Sequence, residues 1–307
     1  MSTPTIIIVT YNALPWLKQC LDSTAGYPVV VVDNASQDET LAYIREHYPQ
    51  VHLLPQPQNL GFGQGNNIGI QYALQNGAES VFLLNQDAYL VGDALGVLWT
   101  TQKKHPEFGV LSPVHTNGKG DLLDYNFSCY LSAANCPEFY SDFVLQKPLK
   151  TVYDAPFVNA AGWLLSKQCL KTVGGFDPLF FHYGEDDHYC QRLHYHGLKL
   201  GVVPGAYLRH DRDLRPNRIT IHSKAFFDLE LRKLKLRFSN VYSELSEQNI
   251  NKFQKSVYLK SFKFILLLKW RVAKRYFRLA RQIKKLTPAL IYSNRLHRQK
   301  APHHLNH

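Results

Sequence analysis

The chain has 307 residues, 45% of them apolar, which suits one large folded domain or one domain with an appendage and excludes wholesale disorder. Its five cysteines, Cys20, Cys129, Cys136, Cys169 and Cys190, are odd in number and contain no CxxC pair, which argues against a disulfide scaffold or metal knuckle and for a reducing compartment. The net charge of +11 is uneven: 20 of 35 Lys and Arg but 4 of 24 Asp and Glu lie from residue 221 onward, a balance of +16, so the remainder carries −5.

The first residues, MSTPTIIIVTYN, have no basic region and a short apolar run, so they read as the start of a fold and not as a signal peptide. Thr5–Val9 predicts a buried parallel strand. Leu14–Ser23 has helical spacing, with Leu14, Leu17 and Leu21 on one face. Val29–Val32 predicts a second strand that ends at Asp33-Asn34. Ser36 and Glu39 form a capping-box pair opening a helix to about His47. A third strand is expected at His52–Leu54, and the glycine- and asparagine-rich stretch Gly61–Gly69 leads into a helix through Gln75. Val81–Leu84 predicts a fourth strand, ending at Asn85-Gln86-Asp87.

Strands alternating with helices predict an α/β fold with a parallel sheet, and such sheets bind ligands beyond the carboxyl ends of their strands. Asn12, Asp33 and Asp87 each stand at such an end. A lone Asp there is ordinarily a turn former, but three polar strand ends facing one crevice point to a site.

Residues 110–155 read as loops and short strands over the sheet edge, Phe157–Ser166 as a strand kinked at Ala160-Ala161-Gly162, and Lys199–Val203 as a short strand. Between the last two lies FFHYGEDDH, residues 180–188, in which Glu185, Asp186 and Asp187 stand beside aromatic rings, and a helix is expected from Glu185 to His196. Acids so placed are either the charged first turn of a helix or a carboxylate whose pKa is raised for base chemistry, and one stretch can serve both ends. From residue 221 the chain turns basic and helical. Its Ser256–Leu286 stretch mixes apolar and cationic residues and reads as an amphipathic helix, lying on an anionic membrane surface or packed on the preceding domain. The apolar run Phe264–Leu268 is far short of the roughly 20 residues a membrane span needs. Nucleic acid ranks last as a partner, because no recognition motif appears.

Together, IIIVTYNALPWLKQCLDS, VVVVDNASQDET, NLGFGQGNNIGI, VFLLNQDAYL and VGGFDPLFFHYGEDDHYCQRLHYHG resemble glycosyltransferase family 2, the inverting GT-A type, and within it the bacterial rhamnosyltransferase-like branch. The resemblance runs over about residues 4–215 in the family's order. It implies a GT-A fold, a Rossmann-like and mostly parallel sheet flanked by helices, over residues 1–220, with a basic helical segment at 221–307. It implies transfer of a sugar from a nucleotide-sugar donor to a glycan or lipid-linked acceptor in bacterial surface polysaccharide synthesis. The location expected is cytoplasmic, peripheral on the inner face of the cell membrane. By the same resemblance Thr10, Tyr11 and Asn12 match the first nucleotide-binding turn, Asp33 the aspartate contacting base or ribose, with Asn34 and Asp38 in its block. Asn59, Gly61 and Asn67 match the nucleotide-sugar pocket. Asn85-Gln86-Asp87 stands where the family carries its metal motif, so Asp87 and the late His210 are the expected ligands of a divalent cation, Mn2+ or Mg2+. Glu185-Asp186 matches the acidic pair, with Asp186 as general base, and Gly162, Trp163 and Tyr183 are expected at the acceptor. Two departures, Asn85 for an Asp and His188 for the last acid of EDxD, keep open a catalytically inactive module that binds a glycan or anchors an assembly at the membrane.

Overall fold

The structure, a computed structural model, describes residues 3–212 and 219–305. In chain order the elements are β1 (Thr5–Thr10), α1 (Leu14–Asp22), β2 (Val29–Asp33), α2 (Thr40–His47), β3 (His52–Pro55), α3 (Phe62–Gln75), β4 (Ser80–Asn85), β5 (Ala88–Val91), α4 (Ala94–Lys104) and β6 (Phe108–Asn117). There follow α5 (Tyr125–Tyr130), α6 (Pro137–Val144), β7 (Tyr153–Asp154), β8 (Gly162–Ser166), α7 (Lys167–Val173), α8 (Glu185–Tyr195), β9 (Lys199–His210), α9 (Lys224–Ser239), α10 (Glu247–Leu266) and α11 (Trp270–Leu296).

Among the described residues one sheet runs β3-β2-β1-β4-β8-β6-β9-β5, with β7 also paired to β9. Its first four strands are parallel, as the βαβα pattern predicts. Side chains on a strand alternate faces, and the β1 run Ile6-Ile7-Ile8 is fully buried because both faces are covered. Ile7 packs with Val30, Val32, Ile70 and Leu83 under α3, while Ile6 and Ile8 pack with Leu17, Val31, Ile44 and Phe82 under α1 and α2. Burying each such side chain contributes about 1.5–3 kcal/mol.

The second half of the sheet departs in part from expectation. The stretch from residue 110, expected as loops and short strands over the sheet edge, begins inside β6, a ten-residue strand buried over most of its length and set between β8 and β9. The strand expected at Lys199–Val203 continues to His210, because it pairs in turn with β6, β7 and β5. At α2 the capping box does not form; Ser36 bonds Asp33 instead, and the helix starts at Thr40.

The C-terminal helices share a separate core of Phe227, Leu234, Phe238, Ile250, Val257, Tyr276 and Ile283. The stretch read as one helix is broken at Leu268, which has a left-handed φ of 55°, so α10 and α11 form a hairpin whose tip is the apolar run. Beyond α11 the chain returns to the sheet: Leu305 joins the core beneath it, and Gly175 N–H donates to the His303 carbonyl at 2.8 Å. No helix among the described residues is long and apolar enough to cross a membrane.

Candidate active site

The carboxyl ends of β1, β2 and β4 open into a cleft of about 360 Å3, and Thr10, Tyr11, Asn34, Asn59, Gly61, Asn85, Gln86 and Asp87 line it. Its floor is held by local bonds. Thr10 Oγ donates to Asp33 Oδ1 at 2.9 Å, and Ser36 donates to the same carboxylate through both its N–H and hydroxyl. Gln86 clamps the β1 turn by accepting from the Tyr11 N–H at 2.8 Å. Asn34 ties down the next loop by donating to the Gly61 carbonyl at 3.1 Å. Gly61 has a φ of 81°, and a Cβ there would lie 2.0 Å from the Phe181 carbonyl oxygen, so only glycine lets this turn meet the loop that carries FFHY.

A second cleft, of about 760 Å3, opens on the other side of Asn85 and Asp87, which line both, as do Phe62 and His182. Its walls bring together Tyr183, Glu185, Asp186 and His210 from the expected set. Two consecutive left-handed residues, Tyr183 at 64° and Gly184 at 94°, turn the aromatic loop sharply into α8, so the first-turn acids face the cleft. Burial raises the pKa of Asp186 to about 6, aided by the charge of Asp187. Burial, with the charge of Asp186, raises Glu185 further, to about 8. Asp186 is thus the more readily ionised of the pair, and its Oδ1 is oriented by the Asp187 N–H at 2.9 Å.

The β5–β9 pairing sets Ala88 opposite His210, and so brings Asp87 beside His210. Asp87 Oδ1 and His210 Nε2 are 3.6 Å apart, beyond hydrogen-bond reach, so a carboxylate oxygen and an imidazole nitrogen converge on one space. Among the described residues the buried Asn85 Oδ1 has no hydrogen-bond partner, and neither has Glu185 Oε2. Buried polar groups are nearly always paired, so these orphans, one at the junction and one in the larger cleft, point to ligands. The donor set, one carboxylate with an imidazole, fits a divalent cation that takes its other ligands from phosphate and water.

Six expected residues line neither cleft, among them Asp38, whose carboxylate accepts from the Thr40 N–H at 3.1 Å. Asp33 lies beneath the smaller one, fully buried, its oxygens engaged by Thr10 and Ser36. Asn12 accepts from the Gln37 N–H and donates its own N–H to Ser36, fixing the turn. Asn67 is bonded twice to the Phe176 backbone, at 2.7 and 2.8 Å, and staples α3 to the loop before α8. Gly162 and Trp163, expected at the acceptor, belong to the core: Trp163 is fully buried between Phe176 and Tyr189, and Gly162 faces Phe82 and Leu208. A bulky indole after a glycine reads as a surface wall in sequence, yet on a central strand it points inward.

Conversely, the second cleft takes in Asn126 and Tyr130 of α5, Arg212, and Leu229, Arg232, Lys233 and Leu236 of α9. Arg232 stands over the Tyr183 ring and opposes the upward shift of Glu185. His182, within the FFHYGEDDH stretch, lines both clefts. Phe62 sits within NLGFGQG, and Phe181, His182 and Asp187 within FFHYGEDDH, whereas the residues of α5 and α9 and Arg212 carried no signal.

The family model described as glycosyl transferase family 2 matches residues 5–172. An N-acetylglucosaminyl-diphospho-decaprenol L-rhamnosyltransferase of Mycobacterium tuberculosis is 28% identical over 239 residues, 67% of this chain and 75% of the relative. A dTDP-rhamnosyl transferase of Shigella flexneri is 27% identical, over 66% of this chain and 67% of its own. Among solved structures, GalNAc-T7 with UDP, GalNAc and Mn2+ superposes with a TM-score of 0.56 at 17% identity, covering 83% of this chain and 54% of that one. That likeness shows the fold alone, and the fold is GT-A.

Proposed function

The chain belongs to glycosyl transferase family 2, and on that premise we propose that it moves a sugar, with inversion, from a nucleoside-diphosphate sugar to a glycan or lipid-linked acceptor in surface polysaccharide synthesis. One observation carries this reading: two clefts of donor and acceptor size meet at Asp87, with a carboxylate of raised pKa in the second. The donor's nucleoside lies among Thr10, Tyr11, Asn34 and Asn59, and its diphosphate reaches the junction at Asn85, Gln86 and Asp87. The acceptor hydroxyl lies beside Asp186. Asp186 takes the hydroxyl proton, the oxygen attacks the anomeric carbon from the face opposite the diphosphate, and the bond to the diphosphate breaks with its electron pair leaving on the nucleotide. A divalent cation, Mn2+ or Mg2+, held by Asp87 and His210 would supply positive charge beside the departing diphosphate. Glu185, the more strongly raised acid, stays protonated at neutral pH and keeps a second like charge away from the base. Tyr183, exposed at the cleft wall, offers a ring to the apolar face of the acceptor sugar.

The C-terminal helices serve this chemistry in two ways. One face of α9 closes the acceptor cleft. The hairpin tip leaves Leu266 84% and Leu268 74% exposed, with Leu267 and Trp270 beside them, ringed by Lys263, Lys269 and Arg271. Carbon at the tip and cations around it suit an anionic membrane surface, and this supports peripheral attachment on the inner face of the cell membrane.

The test is calorimetric titration of UDP, dTDP and GDP with and without Mn2+. Binding of one nucleotide, strengthened about a hundredfold by Mn2+ in the wild type and not in Asp87→Ala, is expected if the Asp87 carboxylate holds the cation against the diphosphate. No binding of any nucleotide would favour the inactive module that His188 and Asn85 leave open.

A further inference from the structure

Residues 118–152, between β6 and β7, carry α5 and α6, and between these helices runs a groove of about 410 Å3 that the sugar-transfer reaction does not use. Leu123, Phe127, Leu131, Phe139, Phe143 and Val144 line it, and its lining residues with polar side chains are Ser128, Ser132 and Tyr140. The rim is apolar too: Phe143 is 65% exposed and Leu145 62%, an unusual amount of carbon to leave in water at one place.

The helix α5 is the partition between groove and cleft. Asn126 and Tyr130, four residues apart and so on one face, line the catalytic cleft, and burial with the Asp186 charge raises the Tyr130 phenol to about 12. The next residues along, Phe127 and Leu131, face the groove. The partition is fixed at its foot: Asp124 accepts from the Phe127 N–H at 2.9 Å and is gripped through two oxygens by Arg212, itself a cleft residue. An acceptor with its sugar at Asp186 and its aglycone leaving across α5 therefore passes from a polar, charged wall to a carbon one.

We propose that this groove binds the first units of the isoprenoid chain of a lipid-linked acceptor. The inference rests on the lipid-linked reading above and specifies the lipid end of that substrate. A hydrocarbon asks no hydrogen bonds of its site, and the groove offers almost none. A peptide lying there would leave its backbone amides unpaired at a cost for each. The volume is within the range of pockets that hold small apolar ligands, roughly 300–1,000 Å3.

The probes are farnesyl diphosphate and isopentenyl diphosphate, which share a head group and differ in chain length. Each is titrated calorimetrically into the full chain, below its micellar concentration. The expected result is that the farnesyl compound binds at least about tenfold more tightly, since several more methylene and methyl groups leave water. Phe143→Ser and Ala133→Trp, one removing carbon from the groove and one filling it from an exposed rim position, are each expected to abolish that difference. Isopentenyl diphosphate and nucleotide affinities are expected to hold in both, with an unchanged melting temperature. Equal affinities in the wild type would overturn the proposal, and so would a preference that survives both variants. A wild-type dimer that Phe143→Ser converts to monomer would overturn it too, by giving the groove to a second copy of the chain. The nucleotide titration is read separately, so a failed donor site and a failed lipid groove are told apart.

Discussion

The two halves of the sheet reach one active site by different means. The parallel half, β3-β2-β1-β4, uses residues 5–85, and β1, β2 and β4 deliver polar residues to the cleft at their carboxyl ends. The other half, β8-β6-β9-β5, is knitted from segments far apart in sequence, and its cleft draws on α5, α8, the end of β9 and α9. The proposed donor site, built from consecutive loops, is a local construction. The proposed acceptor wall, built from distant segments, is free to change with the acceptor while the donor half stays as it is.

The sharpest way to break that division is Asp186→Asn. If acceptor chemistry and donor binding reside in separate halves, turnover falls by roughly 10²–10⁴ while nucleotide affinity holds, because loss of a general base removes transition-state help alone. Stopped turnover assays beside calorimetry measure both, and a parallel loss of nucleotide binding would erase the distinction.

A second contrast lies within residues expected at the acceptor. Trp163→Ala should cost about 3–5 kcal/mol of stability, read by denaturant unfolding, since it opens a cavity beside Phe176 and Tyr189 in the core. Tyr183→Ala, on the cleft wall, should leave stability nearly unchanged and raise the acceptor KM.

The same division explains what could be read in advance. In the parallel half, buried β-branched runs and polar strand ends are each local signals, and Thr10, Asn34, Asn85 and Asp87 arrive in the cleft as the pattern implies. The role of Asp33 was legible only in part: the carboxylate is at the strand end, but whether it faces a ligand or its neighbours depends on Thr10 and Ser36 taking up its lone pairs. In the other half the signals fail. Strand β6 carries Ser112, Pro113 and His115 and looks like loop, yet pairing on both sides holds it in the sheet. No periodicity within α9 announces that Arg232 and Lys233 overlook Tyr183 and Glu185, because that contact is made by a segment from beyond residue 220 folding back.

The C-terminal hairpin extends the comparison to the membrane. Leu266→Ser with Trp270→Ser is expected to lower sedimentation with anionic phospholipid vesicles about tenfold, and to leave turnover on a water-soluble acceptor unchanged, because the tip lies outside the cleft. Vesicle binding that survives the pair of substitutions would move attachment away from the tip.

The smallest effect tests the electrostatics of the acceptor half most directly. The proposed reaction needs Asp186 as carboxylate, and burial with the Asp187 charge raises its pKa to about 6, so kcat/KM should fall as pH drops through about 6. Asp187→Asn removes the nearby negative charge but leaves the burial, so Asp186 ionises more readily and the acid limb moves to lower pH. A base of lower pKa is also a weaker one, so the plateau rate should drop, by less than about tenfold for a modest Brønsted dependence. Nucleotide affinity should not move at any pH, since Asp187 lines only the acceptor cleft. If the limb stays where it is, the group titrating near pH 6 is not Asp186, and the base must be sought among the other cleft acids. If it moves upward, the Asp187 side chain favours the ionised form of Asp186 instead of opposing it, and its charge is not what raises that pKa.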